Sequence, residues 1–230
     1  MWFKIKSYLL FLLKSTNKHG IHSPFVYNLV TNCFTIKTAA SKKQKLVTIL
    51  NYFKNNNIEI PNITKKQALL LIRIVTYFKP KSILELETSF GFNTALLSIG
   101  NPKAAVTTIK NNKTINKEAA ALFNNIELLN ITLINSNLKN KLINNSQFDF
   151  IYFDKTHQKT TLLNNFKDCL VASHNNSVFI FNAINSSKEL QEAWEEIKNN
   201  PKVTITINTY FYGIVFFRTE QARQHFTIRV

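Results

Sequence analysis

After Pro80, short apolar runs alternate with longer stretches whose apolar residues recur at helical spacing. Near-continuous apolar runs of this length are typical of strands in a parallel sheet that helices cover on both faces. The pattern therefore predicts a doubly wound α/β fold with a mostly parallel sheet. The seven predicted strands are SILEL (82–86), AVTTI (105–109), NITLI (130–134), FDFIYF (148–153), SVFIF (177–181), VTITI (203–207) and GIVFF (213–217).

The last two predicted strands are joined by a connection that is too short for a crossover helix. They are therefore expected to form a C-terminal antiparallel hairpin at one edge of the sheet. An exposed hairpin edge of this kind could serve a homodimer. Between the strands, helices are predicted near 91–99, 114–124, 158–172 and 187–199.

The chain before Pro80 has the pattern of consecutive helices. Pro24 is suited to open a helix, and Pro80 ends the last one. The sequence therefore divides into an N-terminal helical extension, residues 1–79, and an α/β domain, residues 80–230. The helices predicted in the extension are 2–14, 25–33, 40–55 and 64–79.

The charge of the chain is strongly basic, with 29 lysines and arginines, 13 acids and a net charge of +16. No acid precedes Glu59. Such a field favours an anionic partner, either nucleic acid or phospholipid. The lysines form no arginine-rich or aromatic-interleaved cluster, and the chain is crowded with Asn, Lys and Ile, as drift in base composition would produce. Nucleic-acid binding is therefore only weakly supported.

The first residues, MWFKIKSYLLFLLK, contain an apolar core that is too short to span a bilayer and lacks a cleavage site. An amphipathic helix is the favoured interpretation, with contact to a membrane surface as an alternative. Cys33 and Cys169 are the two cysteines, and their spacing supports neither a disulfide framework nor a zinc site. A cytoplasmic location without a bound metal is therefore expected.

Polar residues follow four of the predicted strands at the points where the strands end. Because the carboxyl ends of parallel strands meet at one edge of a doubly wound sheet, these residues are expected to lie close together, where such sheets bind ligands. They are Glu85 near the end of the first strand with Glu87, Thr88, Ser89 and Gly91 after it, Lys110 after the second, Asp154, Lys155, Thr156 and His157 after the fourth, and Asn182 with Ala183 after the fifth.

These segments together resemble the class I S-adenosylmethionine-dependent methyltransferases, in particular a small, bacterial, O-methyltransferase-like branch. The resemblance is carried by ELETSFGFNT (85–94), VTTIK (106–110) and FDFIYFDKTH (148–157). HGIHSPFVYNL (19–29) and the late pattern AW…GIVFFR…HF extend it over most of the chain. It implies a Rossmann-like fold, S-adenosylmethionine as cofactor, and methyl transfer to an oxygen or nitrogen acceptor that the sequence does not name.

The resemblance also implies roles for individual residues. Some of the candidates named below have a structural alternative. Asp154 could instead be a helix N-cap, His157 could lie at a solvated helix start, and the two early histidines could belong to a structural loop. The implied cofactor-binding residues are Glu85, Glu87, Thr88, Ser89, Gly91, Thr94, Lys110 and Asp154; the implied catalytic residues are Asp154 and His157; the substrate-side candidates are His19, His22 and Asn182.

The sequence departs from the pattern of the family in four places, which involve five residues. Glu87 and Lys155 stand where the family has glycine, Lys110 stands where it has an acid, and Asn182 with Ala183 stands where it has an acidic pair. A carboxylate at position 87 would need a partner if it were shielded from water. We therefore expect either an eroded cofactor site or an ion pair between Glu87 and Lys110 that compensates for both changes.

Two functions are compatible with this sequence. The first is a methyltransferase with an altered cofactor site. The alternative is a non-catalytic, basic binding module for RNA, an anionic membrane surface or a protein partner.

Overall fold

The computed structural model describes residues 2–61, 63–87, 89–110, 113–135, 139–156 and 158–230, without the side chains of residues 110, 113–116 and 135. The chain forms two compact units. The central unit comprises residues 28–139, and the terminal unit comprises residues 1–27 together with 140–230. The helices α2 (Pro24–Leu29) and α7 (Lys139–Asn144) contain the points at which the chain passes between the units.

Three parallel strands form the sheet of the central unit, in the order β3-β2-β1. Helix α4 begins with a capping box, in which Thr64 accepts a hydrogen bond from the Gln67 backbone, and it ends at Lys79 in a left-handed conformation before Pro80. The elements are a π-helical turn (Val30–Phe34), α3 (Ala40–Asn55), α4 (Lys65–Phe78), β1 (Ser82–Leu86), α5 (Phe92–Gly100), β2 (Ala105–Lys110), α6 (Lys113–Asn125) and β3 (Ile131–Asn135).

Five strands form the sheet of the terminal unit, in the order β4-β5-β7-β6-β8. The β4–β5 and β6–β8 pairs are parallel, and β7 runs antiparallel to both β5 and β6. Beside β8, the backbone N–H of Thr16 donates a hydrogen bond to the carbonyl of Thr227 at 2.9 Å. The elements are α1 (Trp2–Lys14), β4 (Phe150–Phe153), α8 (Lys159–Cys169), β5 (Val178–Asn182), α9 (Lys188–Lys198), β6 (Ile205–Asn208), β7 (Tyr212–Phe216) and β8 (Gln224–Thr227).

Aromatic side chains fill the core of the terminal unit. The rings of Phe153 and Phe181 stack with their centroids 4.3 Å apart, and Phe179 meets Phe217 edge to face. Trp194 of α9 packs over Phe181 and is 4% exposed. Aromatic pairs of this kind add stability beyond the area that they bury. The apolar runs of β4, β5 and β7 are therefore core strands.

The α/β architecture and the antiparallel hairpin β6–β7 are confirmed, but the number of strands is wrong. The described residues form eight strands rather than seven, because β8 pairs with β6 and takes the edge position expected for the hairpin. The sequence QHFT of β8 is exposed or half-buried, so it lacks the apolar run by which buried strands are identified.

Up to Phe78 the described residues form helices joined by loops, and the first strand begins at Ser82. The division into a helical extension, residues 1–79, and an α/β domain, residues 80–230, stays a prediction. Within the described ranges, no helix is both long enough and apolar enough to cross a bilayer.

Candidate functional site

Glu85 is a fully buried carboxyl group near the end of β1. Its Oε2 accepts hydrogen bonds from Thr94 Oγ1 of α5 and from Thr108 Oγ1 of β2, the latter at 2.7 Å. The structure therefore brings the predicted residues Glu85 and Thr94 together. Thr108 was not predicted. The available signal was a polar residue inside an apolar strand, since Thr108 is the register partner of Glu85.

Glu87 follows β1 in the left-handed backbone region, with φ of +64°. An L-residue adopts this region at a cost of about 1–2 kcal/mol, whereas glycine adopts it freely. The backbone at residue 87 therefore has a conformation that glycine adopts more readily than glutamate. The Glu87 side chain is exposed, so its carboxylate is not shielded from water.

The loop after Glu87 leads into the N-terminus of α5. Ser89 is half-buried, and Gly91 is the N-cap residue, with φ of +84°. A Cβ atom on Gly91 would lie 2.8 Å from the Phe123 ring, so this position needs glycine for both conformation and space. Because glycine offers no capping side chain, the first N–H groups of α5 are suited to receive an anionic group.

Three predicted site groups lie outside the described residues. They are Thr88, His157 and the side chain of Lys110. The proposed ion pair between Glu87 and Lys110 and the role of His157 therefore stay predictions.

Asp154 lies directly after β4 and is 9% exposed. Its Oδ1 accepts hydrogen bonds from the backbone N–H of Lys155 at 2.7 Å and from Asn182 Nδ2 at 3.0 Å. The structure therefore brings together two predicted residues, Asp154 and Asn182. The alternative role of Asp154 as a helix N-cap is wrong, because α8 begins later, with Gln158 as its N-cap residue.

Two buried tyrosines lie near Asp154 and were not predicted as site residues. Tyr212 is opposite Asn182 in the β5–β7 register, and its ring centroid is 6.5 Å from that of Tyr152. Burial, and then the charge of Asp154, raise the pKa of Tyr212 far above its ordinary value. Its hydroxyl therefore remains protonated at neutral pH. The sequence signal was the spacing of Tyr152 and Asp154, which places both on one face of the strand.

Ala183 follows Asn182 with φ of +59°, so the backbone at the end of β5 is again left-handed.

Among the residues that the structure describes, no group of three His, Cys, Asp or Glu side chains is placed to hold a metal ion.

The two early histidines belong to the terminal unit. His19 lies in the short 3-10 turn Lys18–Gly20, where its backbone N–H donates to Asn17 Oδ1, and its side chain is exposed. His22 is also exposed, just before α2. Ser23 is buried and caps that helix through the Val26 N–H. The loop interpretation explains these residues, and substrate contact stays a prediction.

Comparison with known proteins gives agreement in fold and not in sequence. The chain matches no protein-family model. No curated protein matches it either. Among solved structures, a putative O-methyltransferase from Klebsiella pneumoniae has a TM-score of 0.63 at 15% identity, over 86% of this chain and 97% of that one. The chain has an O-methyltransferase-like fold.

Two further neighbours of this fold were crystallised with a ligand. The O-methyltransferase from Bacillus cereus, in complex with SAH, has a TM-score of 0.59 at 18% identity, over 84% of this chain and 97% of that one. The O-methyltransferase TomG from Streptomyces achromogenes, in complex with SAM, has a TM-score of 0.60 at 14% identity, over 84% and 95%. The fold prediction is therefore confirmed, including its Rossmann-like class.

Proposed function

We propose that the protein is an S-adenosylmethionine-dependent methyltransferase. The observation that carries this proposal is the backbone of the β1–α5 loop. It keeps the left-handed conformation at residue 87, although that residue is glutamate and bears the strain. Strained conformations persist where the surrounding structure over-determines them, and they cluster at ligand-binding sites.

The residues of this loop suit the chemistry of the cofactor. S-adenosylmethionine supplies an electrophilic methyl group on a sulfonium cation, and it carries an amino-acid group and a ribose. The N-terminus of α5, behind Gly91, is suited to its carboxylate. The exposed carboxylate of Glu87 would supply the acceptor that Lys110 cannot provide for hydroxyl or ammonium groups. Glu85 would act indirectly, because its Oε2 is occupied by Thr94 and Thr108.

Residues of the terminal unit would serve the methyl acceptor. Asp154 is held by Asn182 and by the Lys155 backbone, so its position is fixed before a substrate binds. Its carboxylate could accept a proton or a hydrogen bond from an acceptor hydroxyl. We favour an oxygen acceptor over a nitrogen acceptor, because the neighbours named above are O-methyltransferases. Nothing in these comparisons favours the alternative of a non-catalytic binding module.

Calorimetric titration with S-adenosylmethionine tests the proposal. We expect the unaltered protein to bind, and Glu87→Gly to weaken binding about tenfold or more, as loss of a hydrogen bond to a charged group would. Glu127→Gly is the matched control, because Glu127 is an exposed glutamate with φ of +55° at a different loop of the central unit. Its affinity should be unchanged. The proposal would be refuted if the unaltered protein and Glu87→Gly were both folded and neither bound S-adenosylmethionine.

A further inference from the structure

Helix α1 presents an apolar stripe to solvent. The helix buries only Ser7 and Phe11. At about 100° per residue, the outward residues fall within roughly 80° of each other, on the side opposite these two. We call them the outer stripe: Trp2 (79% exposed), Ile5 (48%), Leu9 (56%) and Leu13 (84%).

The orientation of α1 is fixed by contacts within the terminal unit. Tyr210 Oη donates a hydrogen bond to the Lys4 carbonyl at 3.0 Å, and Gln191 Nε2 donates to Ser7 Oγ at 2.8 Å. The Phe11 ring packs 5.3 Å from that of Tyr210. The helix therefore cannot roll to bury the outer stripe without breaking these contacts, and the stripe is its permanent outer face.

The lysines of α1 differ in their position relative to the outer stripe. Lys6 lies at its edge in the helical projection, whereas Lys4 and Lys14 are exposed on the flanks of the face that carries Ser7 and Phe11. A groove of about 520 Å³ beside the helix includes Leu10, Lys14 and Lys188 in its lining.

The same groove is also lined by two acids, but each is paired with a lysine. Glu192 lies 3.3 Å from Lys159 Nζ, and Glu195 lies 2.7 Å from Lys198 Nζ. The groove is also lined by Ser7 and Phe11, so its acids lie on the side of α1 away from Lys6 and the outer stripe.

We propose that α1 docks the protein on an anionic phospholipid bilayer, with the outer stripe in the interface. Aliphatic side chains would enter the acyl boundary, Trp2 would sit at headgroup depth, and Lys6 would extend to the lipid phosphates, in a part of the chain that has no acid before Glu59. A nucleic acid offers no apolar phase for Leu9 and Leu13, so the stripe is not explained by RNA. The inference does not depend on the methyltransferase proposal.

Vesicle flotation of the full chain tests this inference. We expect binding to phosphatidylcholine vesicles that contain about 30% phosphatidylglycerol, weak binding to phosphatidylcholine alone, and release as salt rises. Leu9→Asp with Leu13→Asp should reduce binding at least tenfold. The matched control is Leu129→Asp with Val171→Asp, which makes the same charge change at two apolar residues that are 92% and 60% exposed elsewhere. This control should still bind.

The lysines and Trp2 give two independent measurements. Each lysine near an anionic surface contributes on the order of fivefold in affinity, so Lys6→Gln should cost about fivefold, whereas Lys14→Gln, on the groove side of the helix, should cost less. The chain has two tryptophans, and Trp194 is only 4% exposed. A blue shift of the fluorescence on adding anionic vesicles should therefore come from Trp2 and disappear in Trp2→Phe.

Three results would overturn the inference. The first is equal vesicle binding by the stripe variant and the matched control, both folded by circular dichroism. The second is a blue shift that depends on protein concentration without vesicles, because a second copy of the chain would then cover the stripe. The third is that the unaltered protein binds RNA and not vesicles, and that the Leu9→Asp, Leu13→Asp variant loses the RNA binding.

Discussion

Glu87 illustrates, at the scale of one residue, how a binding function and stability can oppose each other. Its backbone is left-handed, with φ of +64°, and its side chain is exposed. Under our proposal, the carboxylate is retained because it contacts the cofactor, although glycine would fit the backbone better.

We therefore predict that Glu87→Gly increases the free energy of unfolding by about 0.5–1 kcal/mol while it weakens cofactor binding. The gain is smaller than the left-handed strain, because glycine also increases the entropy of the unfolded chain. Urea denaturation measures it. Glu87→Ala is the control, because it removes the carboxylate and keeps the strain. A Glu87→Gly protein less stable than Glu87→Ala would contradict this explanation.

The buried Glu85 carboxyl depends on its threonine donors. Thr108→Val removes one donor at nearly constant volume, and we expect it to lower the free energy of unfolding by about 1–3 kcal/mol, because a buried carboxylate loses one of its hydrogen bonds. Thr107→Val provides a matched change on the other face of the same strand, at a half-buried residue, and should stay within about 0.5 kcal/mol. Similar losses in both variants would show that the hydrogen bond contributes little.

At the scale of elements, the close contact between α9 and β7 depends on Gly213. A Cβ atom there would lie 2.5 Å from the Trp194 ring, whereas a Cβ on Gly20 would lie 3.3 Å from the nearest atom, in the Thr16 side chain. We expect Gly213→Ala to cost about 1–3 kcal/mol through overpacking, and Gly20→Ala to cost less. Thermal unfolding of both variants gives the comparison, and equal losses would refute the packing explanation.

The elements also show what the sequence can predict and what it cannot. Strands such as β4 and β5 are buried on both faces, so their apolar runs identify them. The edge strand β8 and the six-residue helix α7 bury little and leave no comparable pattern. In the candidate site, Asp154 could be predicted from its place after a strand. Tyr212 could not, because its role depends on the antiparallel register of β5 with β7.

At the scale of the whole molecule, two buried acidic groups should limit stability at alkaline pH. Burial, opposed by the charge of Arg73, raises the pKa of the Cys33 thiol to about 12. Burial also raises the pKa of Tyr212. Well below pH 9 both groups are protonated in the folded and unfolded states. Above it the unfolded chain releases the Cys33 proton first, so stability falls as pH rises.

We predict a decline in unfolding free energy of about 1.4 kcal/mol per pH unit as pH rises above 9, steeper above pH 10, where Tyr212 contributes. Cys33→Ala should flatten the decline between pH 9 and 10, whatever its effect on stability at pH 7. Tyr212→Phe should remove the extra steepness above pH 10. Urea unfolding at each pH provides the slopes, and an unchanged slope in Cys33→Ala would contradict the assignment.

The hydrogen bond between Thr16 and Thr227 joins segments about 210 residues apart in the chain. A ribosome adds about 5–20 residues per second, so the first segment emerges roughly 10–40 s before its partner exists. The central unit is continuous in sequence, and all of its residues are available during that interval. The nascent chain can therefore fold from the middle outward. Helix α1 is synthesised long before the residues that pack on it, so Ser7 and Phe11 stay uncovered during that interval, and this is when the chain would benefit most from a chaperone.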